Sequence, residues 1–270
     1  MDTHCDLHTH SLFSDGNASI DTMVKTAAEK GLKTIALTDH MPLPYKTRYA
    51  MDMDEVSIYR MQLHEAGQKY GDRIKVLAGL EIEFSPELAK WIGSLADMDW
   101  DYLIASIHTL FVDGIPYLVN GNRQEFDEAL FKAFQGDIQA LCGRYFSTLQ
   151  QAFTTGQFDT AGHLDVIKKH NEGFFKETDV WYRTMVMETL EVLRNQKMKM
   201  EINTSGLIQF PKVQYPSSWI IQEAVQMGIP LVFGSDSHRP ETLGHSFQTL
   251  ADELFSGQGD LAAARLCRFP

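Results

Sequence analysis

Short apolar segments alternate with helical segments along this sequence, and this alternation restricts the fold more than any other feature. Strands that alternate with helices predict parallel βαβ units. Because no low-complexity linker divides these units, we predict one α/β domain over residues 1–270, folded as a distorted TIM-type (β/α)7 barrel. The segments predicted as strands span residues 5–10, 33–40, 74–84, 102–108, 158–165, 198–205 and 229–238.

The stretches between the predicted strands differ in kind. Apolar residues recur at helical spacing in residues 20–30 and 54–70, and residues 124–153 form a long region rich in Phe, Leu and Ala that is also predicted to be helical. Residues 41–54 and residues 109–122 are predicted to be long loops. The first of these loops would cross the end of a strand, which raises the question of whether it closes as a lid.

Most of the predicted strands end in His, Asp or Glu. His8 and His10 are two residues apart, so both point to one face of a strand, and Asp236 and His238 repeat that spacing. A lone histidine is more often a core residue than a ligand, but the carboxyl ends of barrel strands form the active site. The residues that would gather there are His8, His10, His40, Glu81, His108, His163, Asp236 and His238.

Imidazole and carboxylate groups without thiolates are typical ligands of zinc, manganese or iron. These candidates exceed the three or four protein ligands of one catalytic zinc, so we expect two or three metals that share a bridging carboxylate. Glu81 is the best bridge, and Glu83 shares its strand parity, so we expect one glutamate at the site and the other at its rim. Clustered metals stabilise the attacking and leaving oxygens of an in-line displacement, which predicts phosphoester hydrolysis.

The composition limits the partners and the compartment. A net charge of −12 and a pI of about 5.2 argue against nucleic-acid binding. No apolar run reaches the roughly 18 residues of a membrane span and no signal peptide is evident, so we expect a cytoplasmic protein without a membrane partner. Cys5, Cys142 and Cys267 lack CxxC spacing and are predicted to be reduced thiols. The oligomeric state and the native metal stay open.

Six motifs in this sequence resemble those of the PHP family, the polymerase and histidinol phosphatase group of metal-dependent phosphoesterases. They are Asp6-Leu7-His8-Thr9-His10-Ser11, Leu37-Thr38-Asp39-His40, Gly79-Leu80-Glu81, Ser106-Ile107-His108, Gly162-His163-Leu164-Asp165 and Gly234-Ser235-Asp236-Ser237-His238. The family fold is a distorted (β/α)7 barrel, in agreement with the strand count. Within the family, residues 201–207 and Tyr215-Pro216-Ser217 are similar to the histidinol-phosphate phosphatase branch.

The resemblance implies a centre of three divalent metals. His8, His10, Glu81 and Asp236 would hold the first metal, Glu81, His108 and His163 the second, and Asp15, His40 and His238 the third. Family members vary between His and Asp at the position of Asp15, so the third metal depends on that residue.

The implied reaction is hydrolysis of L-histidinol phosphate to L-histidinol and phosphate, a late step of histidine biosynthesis. We expect a hydroxide between the first two metals, which share Glu81, to attack phosphorus while all the metals hold the non-bridging oxygens. The leaving alkoxide needs a proton, and Asp236 or His238 could supply it.

Substrate contacts are predicted from positions after strand ends. Arg183, Arg123 and Lys169 are candidate phosphate contacts, although surface positions fit them equally well. Asn203 could hydrogen-bond the substrate or cap a turn, and Tyr117 could cover the imidazole or amine end.

The sequence leaves three alternative functions. A PHP phosphoesterase could act on a nucleotide or another small phosphoester with the same metal site. An amidohydrolase-type deaminase also begins with His-x-His, but it would need a bridging Lys and a later His where this sequence has His108 and Asn203. A non-catalytic metal-binding accessory module is the third alternative, and the full ligand set argues against it.

Overall fold

Seven parallel strands form the barrel predicted from the sequence. The structure, a computed structural model, describes residues 2–255 of the chain. Within that range the sheet order is β1-β2-β3-β4-β7-β8-β9, and β5 and β6 pair separately. The strands are β1 (Cys5–Asp6), β2 (Thr34–Leu37), β3 (Lys75–Glu83), β4 (Tyr102–Ser106), β5 (Thr109–Val112), β6 (Ile115–Leu118), β7 (Thr160–Ala161), β8 (Lys199–Asn203) and β9 (Leu231–Gly234).

The barrel closes where the first and last strands meet. Leu7 N donates to Phe233 O at 3.2 Å, and Asp236 N donates to His8 O at 2.8 Å. His10 N donates to Ser237 O at 2.9 Å, so the contact extends beyond the regular strands. The two His/Asp motifs at opposite ends of the chain are therefore held side by side by backbone hydrogen bonds.

Helices surround the barrel, as the alternation predicts. They are α1 (Ile20–Glu29), α2 (Val56–Tyr70), α3 (Ala89–Ala96), α4 (Arg123–Glu128), α5 (Ile138–Thr154), α6 (Val180–Asn195), α7 (Ser205–Ile208), α8 (Ser218–Met227) and α9 (Phe247–Phe255). Short 3₁₀ helices cover Met53–Glu55, Pro86–Leu88, Val166–His170 and Pro240–Thr242. Among residues 2–255, no helix is both long and apolar enough to cross a bilayer.

Two predictions about local structure are wrong. Residues 109–122 are not one loop, because β5 and β6 form an antiparallel hairpin in which Val112 pairs with Ile115. The two turn residues, Asp113 and Gly114, have φ of 52° and 78°, and Asp-Gly is a strong signal for such a turn.

The region 124–153 is also not one helix. A π-helical turn at Ala129–Ala133 follows α4, and the chain then breaks before α5. Gln135 and Gly136 have positive φ there, a conformation that cannot continue a right-handed helix.

A small hydrophobic core fills the barrel below the strand ends that carry the site. It is a buried cluster of Cys5, Leu7, Ala36, Leu77, Tyr102, Ile104 and Val232. Cys5 and Cys142 are buried free thiols, as predicted, and Cys267 lies outside the described residues. Burial raises the pKa of Cys5 to about 11 and that of Cys142 to about 12, so neither thiol is reactive at neutral pH.

Candidate metal centre

Glu81 lies at the centre of the histidine cluster. This carboxylate, near the end of β3, is 1% exposed. Its Oε1 lies 3.0 Å from His163 Nε2 and 3.2 Å from His108 Nε2. Its Oε2 lies 2.8 Å from His40 Nδ1 and 3.4 Å from His8 Nε2. One carboxylate thus faces imidazoles on both oxygens, as a bridging ligand would.

Asp236 faces the histidines of the first motif. Its Oδ1 lies 3.1 Å from His10 Nε2 and 3.7 Å from His8 Nε2. The residue has φ of 53°, a costly backbone conformation for an aspartate, and its N–H is bonded to His8 O. The barrel closure therefore holds this carboxylate against the two imidazoles in a strained conformation, which is typical of functional sites.

Asp15 and His238 stand at the outer edge of the cluster. His238 Nε2 lies 3.0 Å from Asp15 Oδ1, and His40 Nε2 lies 3.7 Å from the same oxygen. His238 Nδ1 lies 3.0 Å from Asp236 O, in position to donate to that carbonyl, so Nε2 is the nitrogen that faces Asp15. The His10 and His238 rings stack with their centroids 4.2 Å apart.

The structure brings together all nine predicted metal ligands. Within residues 2–255 there are three sets of donor atoms, and the atoms of each set lie within 4.8 Å of one another. They are His10, Asp15, His40 and His238, then His8, His10 and Asp236, then His40, Glu81 and His108. His163 joins the last set through Glu81.

The grouping differs in part from the predicted one. His10 lies close to the outer set as well as to Asp236, and His40 lies close to Glu81 as well as to Asp15. Neighbouring sets therefore share imidazoles as well as Glu81.

Glu83 orients an imidazole and does not mark the rim, so that expectation is wrong. The side chain is buried, and Glu83 Oε2 lies 2.9 Å from His108 Nδ1. Its Oε1 accepts hydrogen bonds from the backbone N–H groups of His108 and Thr109. A carboxylate on Nδ1 leaves Nε2 available to a metal, an arrangement that metal-binding histidines commonly show.

Glu201 orients the His8 ring in the same way. This role was not predicted from the sequence. Glu201 Oε1 lies 2.7 Å from His8 Nδ1, and Oε2 accepts from the backbone N–H of His163 at 2.7 Å. Asn203 Nδ2 also donates to Glu201, at 3.2 Å. An acidic residue within the apolar run of β8 was the available signal, because such a residue is rarely buried without a partner.

Asp39 shapes the turn that carries Asp15. It is fully buried and accepts from Ser11 N at 2.7 Å and Ser14 Oγ at 2.6 Å. A Cβ on Gly16 would lie 2.7 Å from His10 backbone atoms, so only glycine fits there. This turn brings Asp15 back over the site.

Opposite charges inside the cluster shift its pKa values. Burial disfavours the charged form of His8, yet the carboxylates of Glu201, Glu81 and Asp236 outweigh it and raise the His8 pKa well above its usual range. Burial opposes the charge of Glu81 too, but His108, His8 and His40 hold the Glu81 pKa well below its usual range. His10 shifts in the opposite direction, because burial together with His238 and His40 lowers its pKa to about 3.

The donors that lack hydrogen-bond partners fit metal cations. Among the described residues, buried atoms without such a partner include His8 Nε2, both ring nitrogens of His10, and Glu81 Oε2. His108 Nε2 and His163 Nε2, which both face Glu81 Oε1, lie only 3.1 Å apart. Convergent, buried nitrogen and oxygen donors of this kind match the ligand preferences of zinc, manganese and iron.

A cavity of about 290 Å³ opens above the cluster. Besides the metal-site residues, its walls include Arg48, Tyr49, Lys169, Gln209, Phe210 and Tyr215. Arg48 also pairs with Glu125, Nη2 to Oε1 at 2.9 Å, and thereby ties the loop of residues 41–52 to α4. The size and polarity of this space suit a small polar molecule that contacts the cluster directly.

Only some of the predicted substrate contacts reach this cavity. Lys169 lines it, with Nζ donating to Asn120 O at 2.7 Å. Asn203 lies in the site and donates to Asp236 Oδ2 at 3.3 Å. Tyr117 lies on β6 and is not among the cavity-lining residues.

The two arginines predicted as phosphate contacts, Arg123 and Arg183, do not line the cavity. Arg123 forms ion pairs with Asp127 and Glu172 at the start of α4. Arg183 stacks on Trp219 at 4.2 Å on the outer side of α6. Neither lines the cavity, so the structure does not support them as phosphate contacts.

Comparisons with known proteins agree on one family. A family model described as PHP domain matches residues 6–205. A Deinococcus radiodurans protein named "Probable histidinol-phosphatase" is 30% identical over 256 residues, covering 93% of this chain and 92% of the relative.

Two solved structures share the fold. A Listeria monocytogenes protein proposed to be a histidinol phosphatase has a TM-score of 0.82 at 19% identity, covering 91% of this chain and 99% of its own. A Lactococcus lactis histidinol phosphate phosphatase, solved with zinc, L-histidinol and phosphate, has a TM-score of 0.72 at 22% identity, covering 93% of both chains.

Proposed function

This chain belongs to the PHP domain family, and on that premise we propose that it hydrolyses L-histidinol phosphate to L-histidinol and phosphate with bound divalent metals. The observation that carries the proposal is the convergence of nine imidazole and carboxylate ligands, with Glu81 at their centre, directly beneath a cavity of about 290 Å³. The relatives named histidinol-phosphatase, which match along nearly the whole chain, support the choice of substrate.

We propose three divalent cations, drawn from zinc, manganese and iron. His8, His10, Glu81 and Asp236 would hold one, Glu81, His108 and His163 a second, and Asp15, His40 and His238 a third. Such cations, when bound, lower the pKa of water and stabilise charge on phosphoryl oxygens.

The protein side chains then have separate tasks. Glu81 would be shared by neighbouring cations, because both of its oxygens face imidazoles. Glu201 and Glu83 hold the His8 and His108 rings with Nε2 toward Glu81. Asp236 and His238 are the two candidates for delivering a proton to the leaving alkoxide, since both line the cavity.

Lys169 supplies a cation for the phosphate group. Of the arginine and lysine side chains that line the cavity, Arg48 is paired with Glu125, whereas Lys169 Nζ donates to a neutral backbone carbonyl. Its charge is therefore available to attract an anion, and a divalent phosphate ester is such an anion.

Phosphate release by metal-analysed enzyme tests the function. L-Histidinol phosphate, a nucleoside monophosphate and p-nitrophenyl phosphate should be compared at equal concentrations. We expect two to three metals per chain and a strong preference, of about 100-fold or more in kcat/KM, for L-histidinol phosphate. Equal or better turnover of the other esters would contradict the substrate assignment, and absence of turnover with metals loaded would favour an accessory module.

Three broader predictions accompany this proposal. We expect residues 1–270 to act as a single domain, the location to be cytoplasmic, and the substrate to be a small molecule and not a nucleic acid. The net charge of −12 supports the last of these.

A further inference from the structure

A buried ion pair lies beside the metal centre and takes no part in it. Lys168 is 5% exposed and Asp165 is fully buried, and Lys168 Nζ lies 2.9 Å from Asp165 Oδ2. Within residues 2–255, Lys168 is the one lysine or arginine that is buried. Burying two charges usually costs as much as their attraction returns, so such a pair is weak grounds for a stabilising role. The contacts of the pair indicate a different role.

Within residues 2–255, the other side-chain hydrogen bonds of the pair are all with one segment. Lys168 Nζ donates to Gln214 O at 3.1 Å and to Ser217 Oγ. Asp165 Oδ2 accepts from Ser217 N at 3.0 Å and from Ser217 Oγ at 3.1 Å. The ammonium group also lies 5.2 Å from the centroid of the Tyr215 ring. The pair thus holds residues 214–217 in place through hydrogen bonds.

This segment is one side of the substrate cavity. We call residues 209–217 the cavity wall, because Gln209, Phe210 and Tyr215 all line the cavity. In the middle of the wall, Asn203 N donates to Tyr215 O at 2.6 Å and Tyr215 N donates to Asn203 O at 2.9 Å. The two ends of the wall join helices, because Gln209 N donates to Ser205 O and Ile221 N donates to Ser217 O. The ion pair adds contacts to Gln214 and Ser217.

We propose that Lys168 and Asp165 are positioning residues that set the substrate preference by holding the cavity wall over the metal centre. The proposal rests on the proposed function and deepens it. The wall presents two aromatic rings and one amide, which suit a flat, hydrogen-bonding group such as imidazole at the end of the substrate away from the phosphate. The metal centre handles any phosphate ester, whereas the wall selects the organic part.

The same short segment joins both tasks. His163, a proposed metal ligand, is followed two residues later by Asp165, and Lys168 comes one turn further on. His163 contacts Glu81, whereas the pair contacts the wall. Displacing the wall should change binding of the organic group, and the metal ligands should keep their own contacts.

The test replaces both charges at once. Lys168→Met alone leaves a buried, unpaired carboxylate and can prevent folding, so the main variant is Lys168→Met with Asp165→Asn. Ser217→Ala, which removes the hydroxyl shared by both charges, is a milder second variant. Lys176→Met is the matched control, because Lys176 is an exposed lysine outside the wall.

Three measurements are made on each metal-loaded protein: bound metal, kinetics with L-histidinol phosphate and with p-nitrophenyl phosphate, and amide hydrogen exchange. For the double variant we expect full metal content, p-nitrophenyl phosphate turnover within about threefold, and a KM for L-histidinol phosphate raised by about tenfold or more. Exchange should accelerate within residues 203–217 and not in the barrel strands. Ser217→Ala should shift in the same direction by less, and Lys176→Met should match the wild type.

An unchanged KM for L-histidinol phosphate would overturn the proposal. So would equal losses on both substrates, or exchange that accelerates across the whole barrel, because either result indicates a purely structural role. If the wild type shows no preference for L-histidinol phosphate, the proposed function fails. Hydrogen exchange would then still decide whether the pair anchors the wall.

Discussion

Two buried carboxylates outside the proposed ligand set decide which nitrogen of each imidazole faces the metal centre. Glu201 lies 2.7 Å from His8 Nδ1, and Glu83 lies 2.9 Å from His108 Nδ1. An imidazole that donates from Nδ1 keeps the lone pair of Nε2 free, and the neighbouring negative charge makes that nitrogen a stronger ligand. Metal affinity therefore depends on residues that touch no metal.

Glu201→Gln tests this dependence. The amide keeps the shape of the side chain but loses its charge, so we expect metal affinity or kcat/KM to fall by about 10-fold to 100-fold. Bound metal after dialysis against a weak chelator and phosphate release are the measurements. Glu191→Gln, an exposed position on α6, is the control and should behave as the wild type. Equal metal retention in both variants would contradict the role of Glu201.

At the scale of elements, the strands were predictable because their apolar runs end in polar residues. The same pattern located Glu81 and Asp236, since a buried carboxylate needs a partner. Glu201 was not predicted as a site residue, because β8 ends in Asn203, which is not ionisable, and because His8, the partner of Glu201, lies far away in sequence. The β5–β6 hairpin was not predicted either, although Asp113-Gly114 indicates a hairpin turn. Sequence patterns report on each strand separately, whereas these contacts depend on which strands meet.

Close packing between β9 and β8 yields a prediction at this scale. A Cβ on Gly234 would collide with the Glu201 carboxylate and would lie 2.7 Å from His8 Cβ. We expect Gly234→Ala to lower the free energy of unfolding by about 1–3 kcal/mol and to reduce bound metal, because both neighbours belong to the site.

Gly67→Ala is the matched control for this variant. Gly67 lies within α2, and its added Cβ would come no closer than 3.9 Å to Val76 Cβ. Alanine is the better helix former, so the control should raise the free energy of unfolding by about 0.5–1 kcal/mol. Chemical denaturation of both variants gives the two values, and a stable, fully metallated Gly234→Ala would show that the strands can separate.

At the scale of the whole molecule, metal binding and folding stability are coupled through the buried histidines. Without metal, the His8 pKa lies well above its usual range, because Glu201, Glu81 and Asp236 outweigh the effect of burial. The His108 pKa is raised in the same way by Glu81 and Glu83. Raised histidine pKa values add stability below the unfolded pKa of about 6.5, and this stability is lost as pH rises through the folded values.

Cations replace those protons, so loaded and chelated protein should respond to pH in opposite ways. The chelated protein loses stability with rising pH, whereas metal binds more tightly because fewer protons compete. We expect the increase in Tm on zinc loading to grow from about pH 6 to about pH 8. Thermal scans with zinc and with chelator at each pH measure this increase in Tm. A Tm increase that becomes smaller from about pH 6 to about pH 8 would contradict the assigned protonation states.

The closure of the barrel also fixes when the site can form during synthesis. Ser235 N and Oγ donate to Asp6 across 229 residues of chain, and the neighbouring backbone bonds join His8 to Asp236. A growing chain on the ribosome displays the first two imidazoles long before it contains their carboxylate partner. Joining segments so distant in sequence carries a large entropic cost that earlier folding must offset. The metal centre is accordingly among the last parts of a newly made molecule to be completed.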